Sequence, residues 1–226
     1  HSQARRQGLG RLCLEQLQAQ ARLENVPLLG SLFAASADVL AFWQACDFTA
    51  VRVGITPEAT SGAYPVLVVQ AVDTDGMALV QQARRRFEQT FLSGLPDAHP
   101  QIPAALVLTA WARALCPPPL IPDHDDALDL QHFLAGHKTF ENAAVALWKH
   151  LQWRLASGPL PENLDHTDTI LLVGKILQKQ PWPALVDTVR DYLDRRYQWP
   201  VEAEWLVWLP GLVTGLNVAC RSVDGD

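Results

Sequence analysis

The stretch Arg5-Arg6-Gln7-Gly8-Leu9-Gly10-Arg11 runs directly into an apolar segment, Leu12 to Leu23, and this junction constrains the chain more than any other. Two glycines two residues apart, opening onto a helix, make a short loop. Its backbone N–H groups can converge on a pyrophosphate at the positive end of the helix dipole. A side chain at Gly8 or Gly10 would hold the backbone away from the anion or demand a left-handed conformation that costs energy. Arg5, Arg6 and Arg11 would add charge-assisted hydrogen bonds. A Gly-x-Gly alone is also compatible with a flexible loop before an ordinary amphipathic helix.

The elements that follow can be read from their periodicity. Leu12, Leu14, Leu17, Ala19 and Leu23 recur at helical spacing, which predicts a helix over 10–23 packed on a sheet. Asn25-Val26-Pro27 ends it, because proline cannot continue a helix and biases its predecessor toward extended geometry. Leu28 to Ala35 reads as a strand, with Leu28 to Phe33 fitting a short buried one, and Asp38 to Cys46 reads as a short helix. Phe42 and Trp43 are read as core residues of that helix. Asp47 begins a turn, since aspartate visits left-handed geometry at modest cost, and Thr49 to Gly54 forms the next strand. Val66 to Val72 is nearly continuous and β-branched, predicting a buried strand paired with Thr49 to Gly54.

Around the glycine loop the sequence resembles the GNAT acetyltransferases, whose pyrophosphate loop reads basic or Gln, two variable residues, Gly, any, Gly or Ala, at the head of a helix. The string Phe42-Trp43-Gln44…Cys46…Phe48…Val51-Arg52-Val53-Gly54, with Glu58-Ala59-Thr60-Ser61-Gly62-Ala63-Tyr64 after it, is similar to the tRNA(Met) cytidine acetyltransferase branch. The resemblance implies an α/β (α+β) fold, with the second half of a GNAT sheet followed by an all-helical region. It implies acetyl-CoA held by Arg5, Arg6, Gln7, Gly8, Leu9, Gly10 and Arg11, with Asp38 near it. It also implies acetyl transfer to the wobble cytidine of elongator tRNA(Met). Ala45 stands where relatives carry Arg and Asp47 where they carry Gly. The loop facing the acceptor would offer Ser61 and Tyr64, which read equally well as turn-forming or surface residues.

Beyond Met77 the pattern becomes helical. Gln81 to Phe91 contains Arg84-Arg85-Arg86, either a solvated helix face or a phosphate-contacting patch for RNA. Proline-rich connections bracket a helix over 104–115. Asp123-His124-Asp125-Asp126 has the composition of a metal cluster but is better explained as an N-cap with an acidic first turn, so no metal is expected. Two helices over 128–155, separated near Ala135-Gly136-His137-Lys138, resemble the helical region that holds tRNA in the same family. There His132, His137, Lys138, Lys149, His150 and Arg154 are candidate contacts. A further helix over 167–178 would bury Ile170, Leu171, Leu172, Ile176 and Leu177 and leave Lys175, a last RNA candidate, and Lys179 outside. The general base is not legible.

The expected domains are 1–76, 77–180 and 181–226, the last resembling the N-terminal part of a PatB/MalY-type cystathionine β-lyase without a complete site for pyridoxal phosphate. Alternative readings are a helical RNA-binding module with a vestigial cofactor loop, or such a lyase fragment. The loop lies close to His1, so the chain is expected to be a C-terminal part, inactive by itself, of an enzyme whose ATP-driven module lies upstream. In 226 residues, 49% hydrophobic and 19% charged, no apolar run approaches the roughly 18 residues of a membrane span. The formal charge of −6 argues against a wholesale nucleic-acid-binding surface, so RNA contact must be local. Cys13, Cys46, Cys116 and Cys220 lack metal spacing and read as reduced, mostly buried thiols of a cytoplasmic protein.

Overall fold

A computed structural model describes residues 7–112, 121–158, 160 and 164–193; Arg5, Arg6, Cys116, Cys220 and the stretch 194–226 lie outside the described residues. The chain divides into two compact units, one ending at Glu88 and the other beginning at Gln89. The architecture is α/β: a three-stranded antiparallel sheet with helices, consistent with the expected second half of a GNAT sheet, then a helical region.

In the first unit, α1 (Leu9–Leu23) leads to β1 (Leu28–Ala35), α2 (Ala37–Ala45), β2 (Thr49–Val53), β3 (Tyr64–Ala71) and the start of α3 (Thr74–Ala98). The strand order is β1-β3-β2. β3 pairs along its length with β1, from Leu28↔Ala71 to Ala35↔Tyr64, and on its other side with β2. The predicted pairing of the valine-rich strand with Thr49 to Gly54 is therefore found. As the central strand β3 carries the core, with Val66, Val68 and Val69 buried. β1 was expected to be buried but is a sheet edge, and its alternation leaves Leu32 69% exposed.

α1 packs against β1, as expected, but with a narrow strip. Leu14, Gln18 and Ala21, three and four residues apart, cover the sheet, and Ala21 alone is fully buried. Leu9, Leu12, Leu17 and Leu23 fall to either side and stay exposed, which corrects the reading of a single buried leucine stripe. Asn25 and Asp47 take φ of 56° and 65°, so both turns use the left-handed geometry that Asn and Asp tolerate best. Trp43 stacks on Phe33 at 5.4 Å and meets Phe48 edge-on at 4.8 Å, the aromatic core of α2. Phe42, also read as core, is 42% exposed. Ser61 donates to Glu58 Oε2 at 2.7 Å and accepts from the Ala63 N–H, a turn-forming role, and Tyr64 is buried.

The register of β2 shifts between Ala50 and Arg52, a bulge at Val51. Arg84 of α3 stabilises this irregular strand. Its Nη1 donates to the Ala50 carbonyl at 2.8 Å while its Nε donates to Glu88 Oε1 at 2.6 Å, both side chains almost fully buried. The expected surface triplet Arg84-Arg85-Arg86 is thereby corrected: Arg84 is core, and only Arg85 and Arg86 face solvent.

In the second unit, after the end of α3, come α4 (Ala104–Trp111), α5 (His124–Leu134), α6 (Phe140–Ser157), α7 (His166–Leu171), a π-helical stretch Leu172–Leu177, and α8 (Trp182–Leu193). The break between α5 and α6 lies where the sequence places it. The helix read over 167–178 instead widens after Leu171. The Gln178 N–H donates to the Val173 carbonyl five residues back, and the looser turn lets Leu172, Val173, Gly174, Ile176 and Leu177 all be buried. A Cβ on Gly174 would collide with Leu185 of α8, so α8 rests directly on this stretch. The first part of the stretch read as a foreign tail thus completes the core of this unit, with Leu185 and Val189 buried.

Removing Arg84 takes a buried donor from both the Glu88 carboxylate and the Ala50 carbonyl, so Arg84→Ala is expected to lose about 3 kcal/mol of stability. Arg85→Ala should stay within about 0.5 kcal/mol of the parent. Urea unfolding of the two variants checks this.

Candidate functional site

The first turn of α1 lies against the later half of α2. Gly8 occupies the N-cap of α1 at φ 79°, the left-handed region where a side chain is strained, and no side chain caps the helix. The first N–H groups of a helix have no acceptor within it, so this end presents donors and a positive dipole. A Cβ on Gly10 would meet Cζ of Phe42 at 3.0 Å. Phe42 therefore lies beside the loop, and its partial exposure has a position that periodicity could not reveal. Asp38, one turn before Phe42 in α2, is exposed in the first turn of a helix capped by Ser36, whose Oγ accepts the Val39 N–H at 3.3 Å.

Arg11 projects from the first turn of α1 and donates to Glu15 Oε1 at 3.0 Å, an exposed pair that raises the guanidinium pKa further. Such a pair is weak and releases Arg11 readily to a stronger anion. Leu9 is exposed at the same turn, and Gln7 makes an interaction of its own. Arg5 and Arg6 lie outside the described residues. Of the expected cofactor residues, Gly8, Leu9, Gly10 and Arg11 share one helix turn, and Asp38 stands on the helix whose Phe42 touches it. Cys46 closes α2, buried, and desolvation pushes its thiol pKa up; Cys13 is exposed, against the reading of mostly buried thiols.

The RNA candidates of the helical unit are mostly engaged within the protein. Lys138 binds Asp129, and Lys149 lies 2.6 Å from Asp126 and 3.7 Å from Asp123. Lys175 sits over Trp182 at 4.7 Å and Phe140 at 5.4 Å and donates to the Gln180 carbonyl; burial pushes its pKa down. Read as outside, it is half-buried because the π-helical turn swings it against these rings. His150 Nδ1 lies 2.9 Å from the Ala146 carbonyl, and Arg154 donates to Gly158. His132 and His137 are exposed neighbours, ring centroids 6.4 Å apart. Sequence reading passed over Lys179, whose ammonium lies over Trp148.

The aspartate run at 123–126 is a capping box. Asp123 accepts the Asp126 N–H, and Asp126 accepts the Asp123 N–H, both at 2.9 Å. Among the described residues no group of three or more His, Cys, Asp or Glu could hold a metal ion, and no helix is long and apolar enough to cross a membrane. The Asp126 backbone N–H, with Lys149 assisting, holds the Asp123 carboxyl below its usual range. A lowered folded pKa contributes stability above the ordinary carboxylate pKa that is lost as pH falls through the lowered value. Asp123→Ala should therefore melt below the parent at neutral pH, with the gap closing as pH falls below the ordinary carboxylate range. Thermal melts across that range test it.

No known protein-family profile matches the chain. It is similar to the tRNA(Met) cytidine acetyltransferase TmcA of Nitrosococcus halophilus, 30% identical over 182 residues, which are 80% of this chain and 24% of that protein. It is also similar to TmcA of Vibrio cholerae, 30% identical over 98% of this chain and 28% of the relative. TmcA of Pyrococcus furiosus is 25% identical over 80% of the chain and 23% of the relative. The chain spans about a quarter of the length of these relatives. The Vibrio match runs through 98% of the chain and so enters residues 181–226. This corrects the reading that the likeness stops near residue 180, and the comparisons do not support a lyase likeness for the tail.

Proposed function

We propose that this chain, TmcA-like over four-fifths of its length or more, supplies the acetyl-CoA pyrophosphate loop and an RNA-holding helical region of a tRNA cytidine N4-acetyltransferase. The observation that carries the reading is the uncapped, left-handed Gly8 start of α1, at the stretch whose sequence resembles the family's cofactor loop. The residues present fit a diphosphate. Donor N–H groups lie at an uncapped helix N-terminus, Gly8 has open space around it, Gly10 lies against Phe42, and Arg11 stands one step away on an exchangeable pair. Asp38 repels phosphate and suits an amide or amine donor, such as the pantetheine arm or the acceptor's N4 amine. Phe42 would wall the loop.

Bound acetyl-CoA supplies an acetyl group activated as a thioester. The cytidine N4 amine would attack the thioester carbonyl, forming the C–N bond as the C–S bond breaks, with the N4 proton leaving and coenzyme A departing as the thiol. N4 is a weak nucleophile because its lone pair is delocalised into the ring. Orientation against the carbonyl therefore carries most of the rate, and a loop that fixes the diphosphate fixes the thioester. In this proposal residues 1–76 form the acetyl-transfer half, and 77–180 hold elongator tRNA(Met) through Arg85, Arg86 and the cationic groups of the helical unit. Upstream ATP-driven strand handling would belong to the rest of a relative-length protein, and the chain by itself would turn over poorly.

Titrating coenzyme A into isotopically labelled protein should move the amide resonances of Gly8, Leu9, Gly10 and Arg11. Gly10→Leu, which drives a side chain into Phe42, should weaken that response about tenfold or more. Unmoved amides in the parent protein would remove the acetyl-CoA reading.

A further inference from the structure

The chain has four lysines, Lys138, Lys149, Lys175 and Lys179, all in the helical unit. Three are held by oxygen: Lys138 by Asp129, Lys149 by Asp126 and Asp123, and Lys175 by the Gln180 carbonyl. Lys179 is exposed and has no carboxylate or carbonyl partner among the described residues, only the ring of Trp148, 5.9 Å from its Nζ to the centroid. The difference is chemical. A carboxylate neutralises an ammonium, whereas an aromatic face holds it in place with its charge and its N–H donors still available.

The backbone around Lys179 is built to present it. Lys179 has φ 54°, a left-handed conformation that glycine adopts far more readily than lysine. Both neighbours point inward. Gln178, buried, donates from Nε2 to the His99 and Ile102 carbonyls at 3.1 and 2.8 Å. Gln180 donates from Nε2 to the Pro100 carbonyl at 2.5 Å and to Gln178 Oε1 at 2.9 Å, and its backbone N–H reaches the Gly174 carbonyl at 2.9 Å. Lys179 thus stands out between two anchored glutamines, immediately after the π-helical stretch. The turn is over-determined by these anchored neighbours, so Lys179 holds this left-handed position, the one that follows a helix C-cap, before any ligand arrives.

We propose that Lys179, held over Trp148, is a phosphate-binding residue for the RNA substrate, a preorganised cation on the helical unit. The inference rests on the reading of this unit as RNA-holding and names a residue of that surface. Preorganisation matters because a free surface lysine loses its rotamer freedom on binding, whereas this one has already given up much of it.

The test compares parent, Lys179→Arg and Lys179→Gly for binding of fluorescently labelled tRNA(Met) by anisotropy at several salt concentrations, with a thermal melt of each. Glycine suits φ 54°, so Lys179→Gly should melt no lower than the parent. It should bind tRNA about fivefold more weakly, with a slope of log affinity against log salt shallower by about one. Lys179→Arg should bind like the parent. If the parent binds tRNA and Lys179→Gly matches it in affinity and slope, the inference falls while the RNA-holding reading stands. A lower melting temperature in Lys179→Gly, with Lys179→Arg equally weak in binding, would also overturn it, because the lysine would then serve the fold. No salt-dependent tRNA affinity in the parent would remove the RNA-holding reading and this inference with it.

Discussion

The first unit depends on the way α1 folds back along β1. A helix of 15 residues is about 22 Å long at 1.5 Å per residue, and a strand of eight residues spans about 26 Å. Joined by the left-handed turn at Asn25 and by Val26-Pro27, the two lie antiparallel with matched lengths. The start of α1 therefore returns toward the end of β1, and its first turn lies against the later half of α2. The contact of Gly10 with Phe42 is the local consequence. A helix N-terminus set against an aromatic ring of the neighbouring helix follows from chain geometry before any specific chemistry is added.

The central strand is what makes that geometry rigid. β3 pairs on both sides, and its valines fill the core, so β1 and β2 are held in register by one strand. The bulge in β2 leaves an irregular stretch of backbone, and a buried guanidinium satisfies it at the Ala50 carbonyl. The buried charge is compensated by Glu88 one helical turn away. The same need for satisfied polar groups governs the helical unit, where the capping box at Asp123 and Asp126 and the glutamines around Lys179 tie loop backbone to helix ends.

Charge in the helical unit is handled differently from what composition suggests. A chain of net charge −6 has few cations to offer RNA, and most of those whose side chains are described in this unit are engaged internally. Aromatic rings hold Lys175 and Lys179 without cancelling their charge, an economical way to keep a positive group on an acidic protein.

Local signals in the sequence determined the elements and the loop: leucine spacing for α1, β-branched residues for β3, proline and Asn or Asp for the turns, and Gly-x-Gly before a helix for the candidate anion site. These are properties of a few consecutive residues, so they survive without knowledge of the fold. Only the tertiary structure decided which face each element turned inward. Arg84 lies beside Arg85 and Arg86 in sequence, yet the helix rotates it 100° from its neighbour and into a carbonyl left by a strand 34 residues earlier. The leucines of α1 share an arc wider than the strip β1 can cover, so most stay exposed. The π-helical turn, the aromatic support of Lys175 and the left-handed Lys179 arise from fitting an almost continuous apolar run against Leu185 and its neighbours. That is a matter of shape between distant segments, and no periodicity within one segment encodes it.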